Sequence, residues 1–241
     1  MNFKFTDEQM MIRDTAEAFL AKTSTSAAVR QVMGTELGYD HQLWRRICDE
    51  MCWQEMHIPE VYGGLGLGYV ELVAILEQMG RYLCCSPFYA SVCLAANALL
   101  VAGTEHQKLT YLPQIAEGKT ATVAYTGDSG GWDSSSVKVT YQKQGDNYHL
   151  DGSYRFVPDG HSAEILVLAA RDSDTQGDEG ISLFVVPANT PGISCEWLPT
   201  MDQTHRQGQL QLDNLVLNSD AVMSDAGQAW PQLEKILDLG R

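Results

Sequence analysis

The stretch from His57 to Gly68 constrains the fold of this chain most, because it combines apolar side chains with four glycines and a proline. No regular helix tolerates that much glycine and proline, since glycine costs backbone entropy and proline removes an amide donor. The stretch is therefore predicted to be a fixed, irregular crossing between two helices. A buried crossing must pair its own backbone polar groups, and its glycines allow two backbones to approach closely.

The charge of the chain argues against a nucleic-acid partner. Its 241 residues carry a formal net charge of −15, whereas phosphate binding requires clustered lysines and arginines. The acidity is interpreted as a solvated surface. An anionic cofactor remains compatible with it, because backbone amides at loops and helix N-termini can hold phosphates. A hydrophobic fraction of 44% is sufficient for a real core.

The cysteines, the histidines and the N-terminus predict a cytoplasmic protein without a metal site. Five of the six cysteines lie in apolar, helix-like segments and are expected to be reduced and buried. The six histidines show no spacing typical of metal ligands. Residues 1–5 lack the apolar core of a signal peptide, and the apolar span 90–102 is shorter than the ~20 residues that a membrane helix needs. No membrane partner is predicted.

Helical patterns dominate the first half of the chain. Thr6 and Gln9 form a capping-box pattern that opens the first helix. Gly80 and Gly103 stand where helix C-caps are expected. Helices are predicted over 7–21, 26–33, 41–51, 69–79, 91–102 and 105–115.

The pattern changes to strands near Gly118. Residues 120–125 are β-branched and aromatic, residues 137–142 and 209–217 alternate with a period of two, and residues 165–170 and 181–186 are short apolar runs. The pair Asp151-Gly152 is a turn signal. The prediction is an α+β chain with an all-α helical bundle at 1–117 and a small all-β barrel or sandwich at 118–222. A single helix within 223–241 must dock on either domain or on another chain, since it cannot bury its apolar face alone.

The order of these segments resembles the acyl-CoA dehydrogenase family. The resemblance rests on the glycine-rich run after Leu43-Trp44, on Gly103-Thr104-Glu105 with the later Tyr111-Leu112-Pro113, on Leu150-Asp151-Gly152, and on the final Leu237-Asp238-Leu239-Gly240-Arg241. It implies the family's N-terminal helical and middle β domains, followed by the start of a truncated C-terminal helical domain. An end at an arginine suggests a proteolytic fragment of a longer protein.

The resemblance also implies an activity, namely FAD-dependent oxidation of an acyl-CoA to its 2,3-enoyl form, as in fatty acid metabolism. A carboxylate removes the α proton, and hydride passes to the flavin. No residue of this chain matches the position of that base, which is expected in the C-terminal domain. The chain alone is therefore expected to be inactive, and the complete protein to be a homo- or hetero-oligomer.

The resemblance assigns two sets of site residues. The implied cofactor-binding residues are Val123, Tyr125, Thr126, Gly131, Trp132, Phe156 and Pro158, and the implied substrate-binding residues are Trp132, Asp238 and Arg241. Two of these depart from the family pattern. Trp132 replaces a small hydroxyl residue, and Pro158 replaces the hydroxyl residue that bonds flavin N5 and has no N–H of its own.

These departures leave two alternatives open. Beside an acyl-CoA dehydrogenase, the chain is compatible with a non-catalytic subunit that pairs with a competent relative, and with a flavin oxygenase or oxidase on the same scaffold, because fold does not fix chemistry. The glycine-rich loop 126–133 also has a plain interpretation as an ordinary β turn.

Overall fold

The computed structural model describes residues 4–241, so residues 1–3, where the predicted helical domain begins, lie outside the described residues. Seven α-helices are described: α1 (Asp7–Thr23), α2 (Ser26–Met33), α3 (His41–Asp49), α4 (Tyr69–Arg81), α5 (Asn97–Ala102), α6 (Glu105–Ala116) and α7 (Trp230–Leu239). Eight strands follow α6 and precede α7: β1 (Ala121–Ala124), β2 (Thr140–Gln144), β3 (Asn147–Pro158), β4 (Ile165–Asp172), β5 (Ile181–Pro187), β6 (Ile193–Leu198), β7 (Gln207–Asn218) and β8 (Val222–Met223). The predicted α+β order is confirmed.

The helix boundaries follow local chemistry in most cases. The capping box is present, since the Gln9 amide donates to Thr6 Oγ1 and the Thr6 amide donates to Gln9 Oε1. Five predicted helices are confirmed to within two residues at each end. The helix predicted over 91–102 instead consists of a π-helix, Tyr89–Ala96, that continues into α5.

The prediction of Gly80 as a C-cap is wrong. Helix α4 runs through Gly80 to Arg81, and the left-handed residue that ends it is Leu83, with a φ of 47°. The amide of Cys84 then donates to the carbonyl of Met79 over 2.9 Å. Glycine is favoured at such positions but not required, and here tertiary packing overrides the preference.

The irregular crossing predicted between α3 and α4 is confirmed, and it pairs its own backbone. The amides of Leu65, Gly66 and Leu67 donate to carbonyls of residues 55, 58 and 56, over 2.9, 2.9 and 2.8 Å. Gly64 faces the Ile58 carbonyl so closely that a Cβ atom there would overlap the Ile58 oxygen. The glycine content therefore reflects a close approach of two backbones.

The strands form one mixed sheet in the order β6-β7-β3-β2-β4-β5-β8, with β1 pairing parallel to β4. The prediction of a turn at Asp151-Gly152 is wrong, because both residues lie inside β3. The register against β7 shifts between Leu150 and Gly152, where Gly152 has a φ of 131° and approaches Val139. The pair therefore forms a bulge, which uses the same left-handed tolerance of glycine that a turn would use.

Helix α7 docks on both parts of the chain. It packs against α5 and against β5. Its Leu233, Ile236 and Leu237 belong to a core cluster that also contains Leu99 of α5 and Leu183 of β5. Helices and sheet thus share one of the three hydrophobic core clusters of residues 4–241, which is called the shared core below. Among the helices of residues 4–241, none has the length and apolarity that crossing a membrane would require.

Candidate functional site

A cleft lies where the helical region meets one end of the sheet, and it consists of two neighbouring cavities. The outer cavity, of about 430 Å³, lies between the loop after β1, the end of β3, the loop 200–207 and α7. The inner cavity, of about 410 Å³, extends from there to the end of α4 and the segment 84–88. The two share five lining residues, namely Tyr89, Pro158, Asp202, His205 and Gln207. Their volumes are typical of small-molecule sites.

Aromatic rings form one wall of the outer cavity. Trp132 is 58% exposed, and its ring centroid lies 6.2 Å from that of Tyr125. Phe156 is 39% exposed with a φ of 58°, at a register shift between Tyr154 and Val157. Left-handed backbone is unfavourable for a bulky residue, and it occurs here where the strand turns a ring toward the cavity. A Cβ atom at Gly130 would lie 3.3 Å from this ring, so the loop packs closely on it.

The three predicted substrate-binding residues come together at the rim. The Arg241 guanidinium lies 5.5 Å from the Trp132 ring centroid, a cation–π arrangement. Arg241 Nη1 also donates to Asp238 Oδ1 over 2.8 Å. Trp132 therefore lines the outer cavity beside a positive charge.

The predicted cofactor-binding residues divide into two groups. Tyr125, Thr126, Trp132, Phe156 and Pro158 all line the outer cavity. Val123 is 1% exposed and belongs to the shared core, because consecutive residues of β1 are buried on both faces. Gly131 stands beside Ser136, whose hydroxyl occupies the space that a Cβ atom would need.

Two residues, Thr126 and Pro158, determine which hydrogen bonds this wall can offer. Thr126 is buried, and its hydroxyl makes only a long 3.5 Å hydrogen bond to the Gly127 carbonyl. Pro158 presents neither a hydroxyl nor an N–H, and its carbonyl accepts from Thr122 Oγ1 over 2.6 Å. Burial raises the pKa of Tyr125 to about 12, so this phenol stays protonated at neutral pH.

Sequence reasoning missed the acid that lines the inner cavity. Asp159 is 7% exposed and has a φ of 50°, and its amide donates to the Arg206 carbonyl over 2.9 Å. Within residues 4–241 its carboxyl group has no hydrogen bond or ion pair. Burial alone raises its pKa from 3.8 to about 7. The sequence offered only an acidic residue in a strand-end turn, a pattern typical of exposed loops.

Sequence reasoning also missed Arg206, which joins the sheet to the helical region. Its Nη2 donates to the carbonyls of Met33 and Thr35, over 2.9 and 2.7 Å. Its guanidinium lies 4.2 Å from the Trp197 ring centroid. The sequence could not predict these acceptors, because they lie some 170 positions away and every residue has a backbone carbonyl.

A titration prediction follows from the buried carboxyl group. Between about pH 4 and 7 the Asp159 carboxyl group holds a proton in the folded chain more often than in the unfolded chain. The contribution of Asp159 to the free energy of unfolding therefore falls as pH rises through this range. We expect Asp159→Asn to gain stability relative to the wild type as pH increases through this window, with no further gain above it. Thermal unfolding of both proteins at pH 5, 6, 7 and 8 measures this. Parallel curves would contradict the assignment.

In the described part of the chain, no three His, Cys, Asp or Glu side chains lie close enough together to hold a metal ion. All six cysteines are free thiols.

Family models and individual relatives all point to one protein family. Family models described as "Acyl-CoA dehydrogenase, N-terminal domain" and "Acyl-CoA dehydrogenase, middle domain" match residues 6–119 and 122–215. An "Acyl-CoA dehydrogenase" of Bacillus subtilis (strain 168) is 31% identical over 192 residues, which are 78% of this chain and 50% of that protein. An "Acryloyl-CoA reductase (NADH)" of Anaerotignum propionicum is 30% identical over 198 residues, which are 80% of this chain and 50% of that protein.

The fold agrees with these relatives. The solved structure of butyryl-CoA dehydrogenase from Megasphaera elsdenii matches with a TM-score of 0.89 and 25% identity, over 100% of this chain and 64% of that one. The chain thus spans between half and two thirds of the length of these proteins.

Proposed function

This chain belongs to the acyl-CoA dehydrogenase family, and we propose that it forms the flavin-facing part of an enzyme that oxidises an acyl-CoA between C2 and C3. The observation that carries the proposal is the aromatic wall of the outer cavity, made by Trp132, Phe156 and Tyr125. We also propose the division into a helical domain at 1–117, a β domain at 118–222 and the start of a further helical unit at 223–241.

The residues present fit a flat aromatic cofactor such as FAD. Phe156 and Trp132 offer exposed ring faces, and the buried Thr126 hydroxyl is held only by a long hydrogen bond, which leaves it free to turn toward a ligand. These three residues with Tyr125 and Pro158 would hold the ring system. When bound, FAD supplies the acceptor for the hydride that leaves C3. Pro158 supplies no hydrogen bond to that acceptor, so positioning rests on packing.

Arg241 and Asp238 are proposed to bind the acyl-CoA at the rim. The Asp238 carboxylate holds the Arg241 guanidinium beside the Trp132 ring, which places a positive charge where an anionic CoA would pass. The proposal assigns no catalytic base to residues 4–241. We therefore expect the 241-residue chain alone to lack dehydrogenase activity.

A second candidate is a non-catalytic subunit, which Pro158 favours because it removes a hydroxyl from the cavity wall. Such a chain would keep the fold and pair with a competent relative in a hetero-oligomer. The two candidates differ in whether this chain itself binds FAD, and that difference is measurable.

We expect the purified chain to bind FAD and Phe156→Ala to bind it about 5- to 30-fold more weakly, because the lost ring contact is worth on the order of 1–2 kcal/mol. Flavin absorbance after gel filtration and an equilibrium FAD titration measure this. Met201→Ala is the control, since Met201 is fully exposed on the loop beside the cleft. A colourless protein with equal, weak FAD affinity in all three forms would favour the non-catalytic subunit.

A further inference from the structure

The inner cavity combines apolar walls with one acid. Leu76 and Met79 of α4 and Phe88 of the following segment form its apolar side, and Asp159 contributes its carboxyl group from the opposite side. Burying an ionised carboxylate without a partner is costly, so proteins normally pair such a group or hydrogen-bond it. The part of the chain described here provides neither for Asp159.

The backbone holds Asp159 rigidly in place. Its amide donates to the Arg206 carbonyl, and its own carbonyl accepts from the amide and the hydroxyl of Ser162, over 3.0 and 3.1 Å. Aspartate tolerates left-handed backbone mainly because its side chain can bond to nearby backbone amides. Here the side chain makes no such bond, so the conformation of the turn does not account for the carboxyl group.

The charged neighbours of Asp159 make their hydrogen bonds to other groups. Arg206 lines the same cavity, and its Nη2 is bonded to two carbonyls while its guanidinium stacks on Trp197. Its buried Nε has no hydrogen-bond partner within residues 4–241, yet it forms no ion pair with Asp159. Asp202 accepts from the amide and hydroxyl of Thr204, and that hydrogen bonding lowers its pKa.

The other titratable groups near Asp159 are His205 on the cavity wall, Tyr39 and Cys85, on which the Asp159 charge acts, and Glu164, which also acts on Tyr39. The phenol and the thiol have pKa values raised by burial and are neutral at pH 7. Within residues 4–241 none of these groups forms an ion pair with Asp159. A cation that entered the cavity would supply the partner that the carboxylate lacks.

We propose that the inner cavity binds the ammonium group of a ligand with an apolar body, with the Asp159 carboxylate as its acceptor. Because the inner cavity shares five lining residues with the outer one, and resting on the function proposed above, this group belongs to the far end of the acyl chain. The substrate class is then an acyl thioester that carries an amine, rather than a plain alkyl chain.

The test uses simple probes and needs no flavin. Hexylamine, hexanol and hexanoate are titrated into the 241-residue chain, and amide NMR shifts of Asp159, Gly160 and Met79 are followed. We expect hexylamine to bind about 10- to 100-fold more tightly than hexanol, and hexanoate to bind least. Tighter binding of hexanol, or equal binding of all three probes, would overturn the ammonium assignment.

Two variants distinguish the effect of the Asp159 carboxyl group from the effect of removing one negative charge anywhere on the protein. Asp159→Asn keeps the shape of the side chain and should lose most of the preference for hexylamine over hexanol. Asp146→Asn removes the same charge from the exposed β2–β3 turn and should leave that preference unchanged. An unchanged preference in Asp159→Asn, or equal losses in both variants, would overturn the proposal.

A measurement on the wild type keeps the test independent of any folding defect. The affinity for hexylamine should rise by up to about tenfold per pH unit below pH 7 and level off above it, because the carboxyl group must lose its proton to pair. A flat profile would overturn the proposal. A colourless protein that still prefers hexylamine would contradict the proposed flavin function and support the ammonium site. A flavin-binding protein without that preference would support the flavin function and contradict the ammonium site.

Discussion

Replacing Gly64 with alanine is expected to lower the free energy of unfolding by about 3 kcal/mol, the upper end of what overpacking usually costs. The added methyl group would overlap the Ile58 carbonyl oxygen, and backbone atoms, unlike the ends of flexible side chains, cannot rotate away. The crossing would have to open, which would disturb the hydrogen bond between the Gly66 amide and the Ile58 carbonyl. Urea unfolding followed by circular dichroism measures the loss.

Two other glycines provide matched controls. Gly63 has a φ of 88° and nothing near its Cβ position, so Gly63→Ala should cost only about 1 kcal/mol of backbone strain. Gly80 lies inside α4 with open space around it, so Gly80→Ala should stabilise by about 0.5–1 kcal/mol. If Gly64→Ala were no worse than Gly63→Ala, the close approach of the two backbones would not be what fixes this crossing.

The order of helices, sheet and final helix could be predicted from the sequence because each of these elements has a local signal. The capping box at Thr6 and the spacing of Leu233, Ile236 and Leu237 are examples, and both features occur where they were predicted. The π-helix Tyr89–Ala96 had no such signal. Its residues are almost all buried, and a uniformly apolar segment has no periodicity that distinguishes one helix type from another.

The errors at glycines share one physical cause. Left-handed backbone can end a helix, close a turn or form a bulge, and the residue type alone does not say which. Gly80 was predicted to end a helix that Leu83 ends, and Gly152 was predicted to turn a strand in which it forms a bulge. Tertiary neighbours, such as Val139 beside Gly152, decide between these outcomes.

The candidate site was predictable only where the family resemblance reached. Trp132, Phe156 and Pro158 line the outer cavity as residues of one wall, and Arg241 reaches that wall from α7. The inner cavity was not predictable, because Asp159 and Arg206 acquire their roles from contacts with distant backbone. A carboxyl group without a partner is visible only once its surroundings are known.

Replacing Arg206 with methionine is expected to lower the free energy of unfolding by up to about 3 kcal/mol, since a charged donor to two partly buried hydrogen bonds is lost and both carbonyls are left without it. The effect should be concentrated at the contact between sheet and helices. Gly38, with a φ of 76°, leaves the space that the Arg206 side chain fills, and the chain from Met33 to Gly38 wraps around it. Amide hydrogen exchange in residues 33–38 should accelerate by at least tenfold.

Arg171→Met is the matched control for this prediction. Arg171 is also buried and also donates to two backbone carbonyls, those of Glu179 and Ser134, over 2.8 and 2.6 Å. All of these groups lie in the part of the chain that forms the sheet, so this variant should lose comparable stability while residues 33–38 keep the exchange rates of the wild type. If both variants accelerated exchange in residues 33–38 equally, Arg206 would stabilise the chain as a whole without joining its two parts.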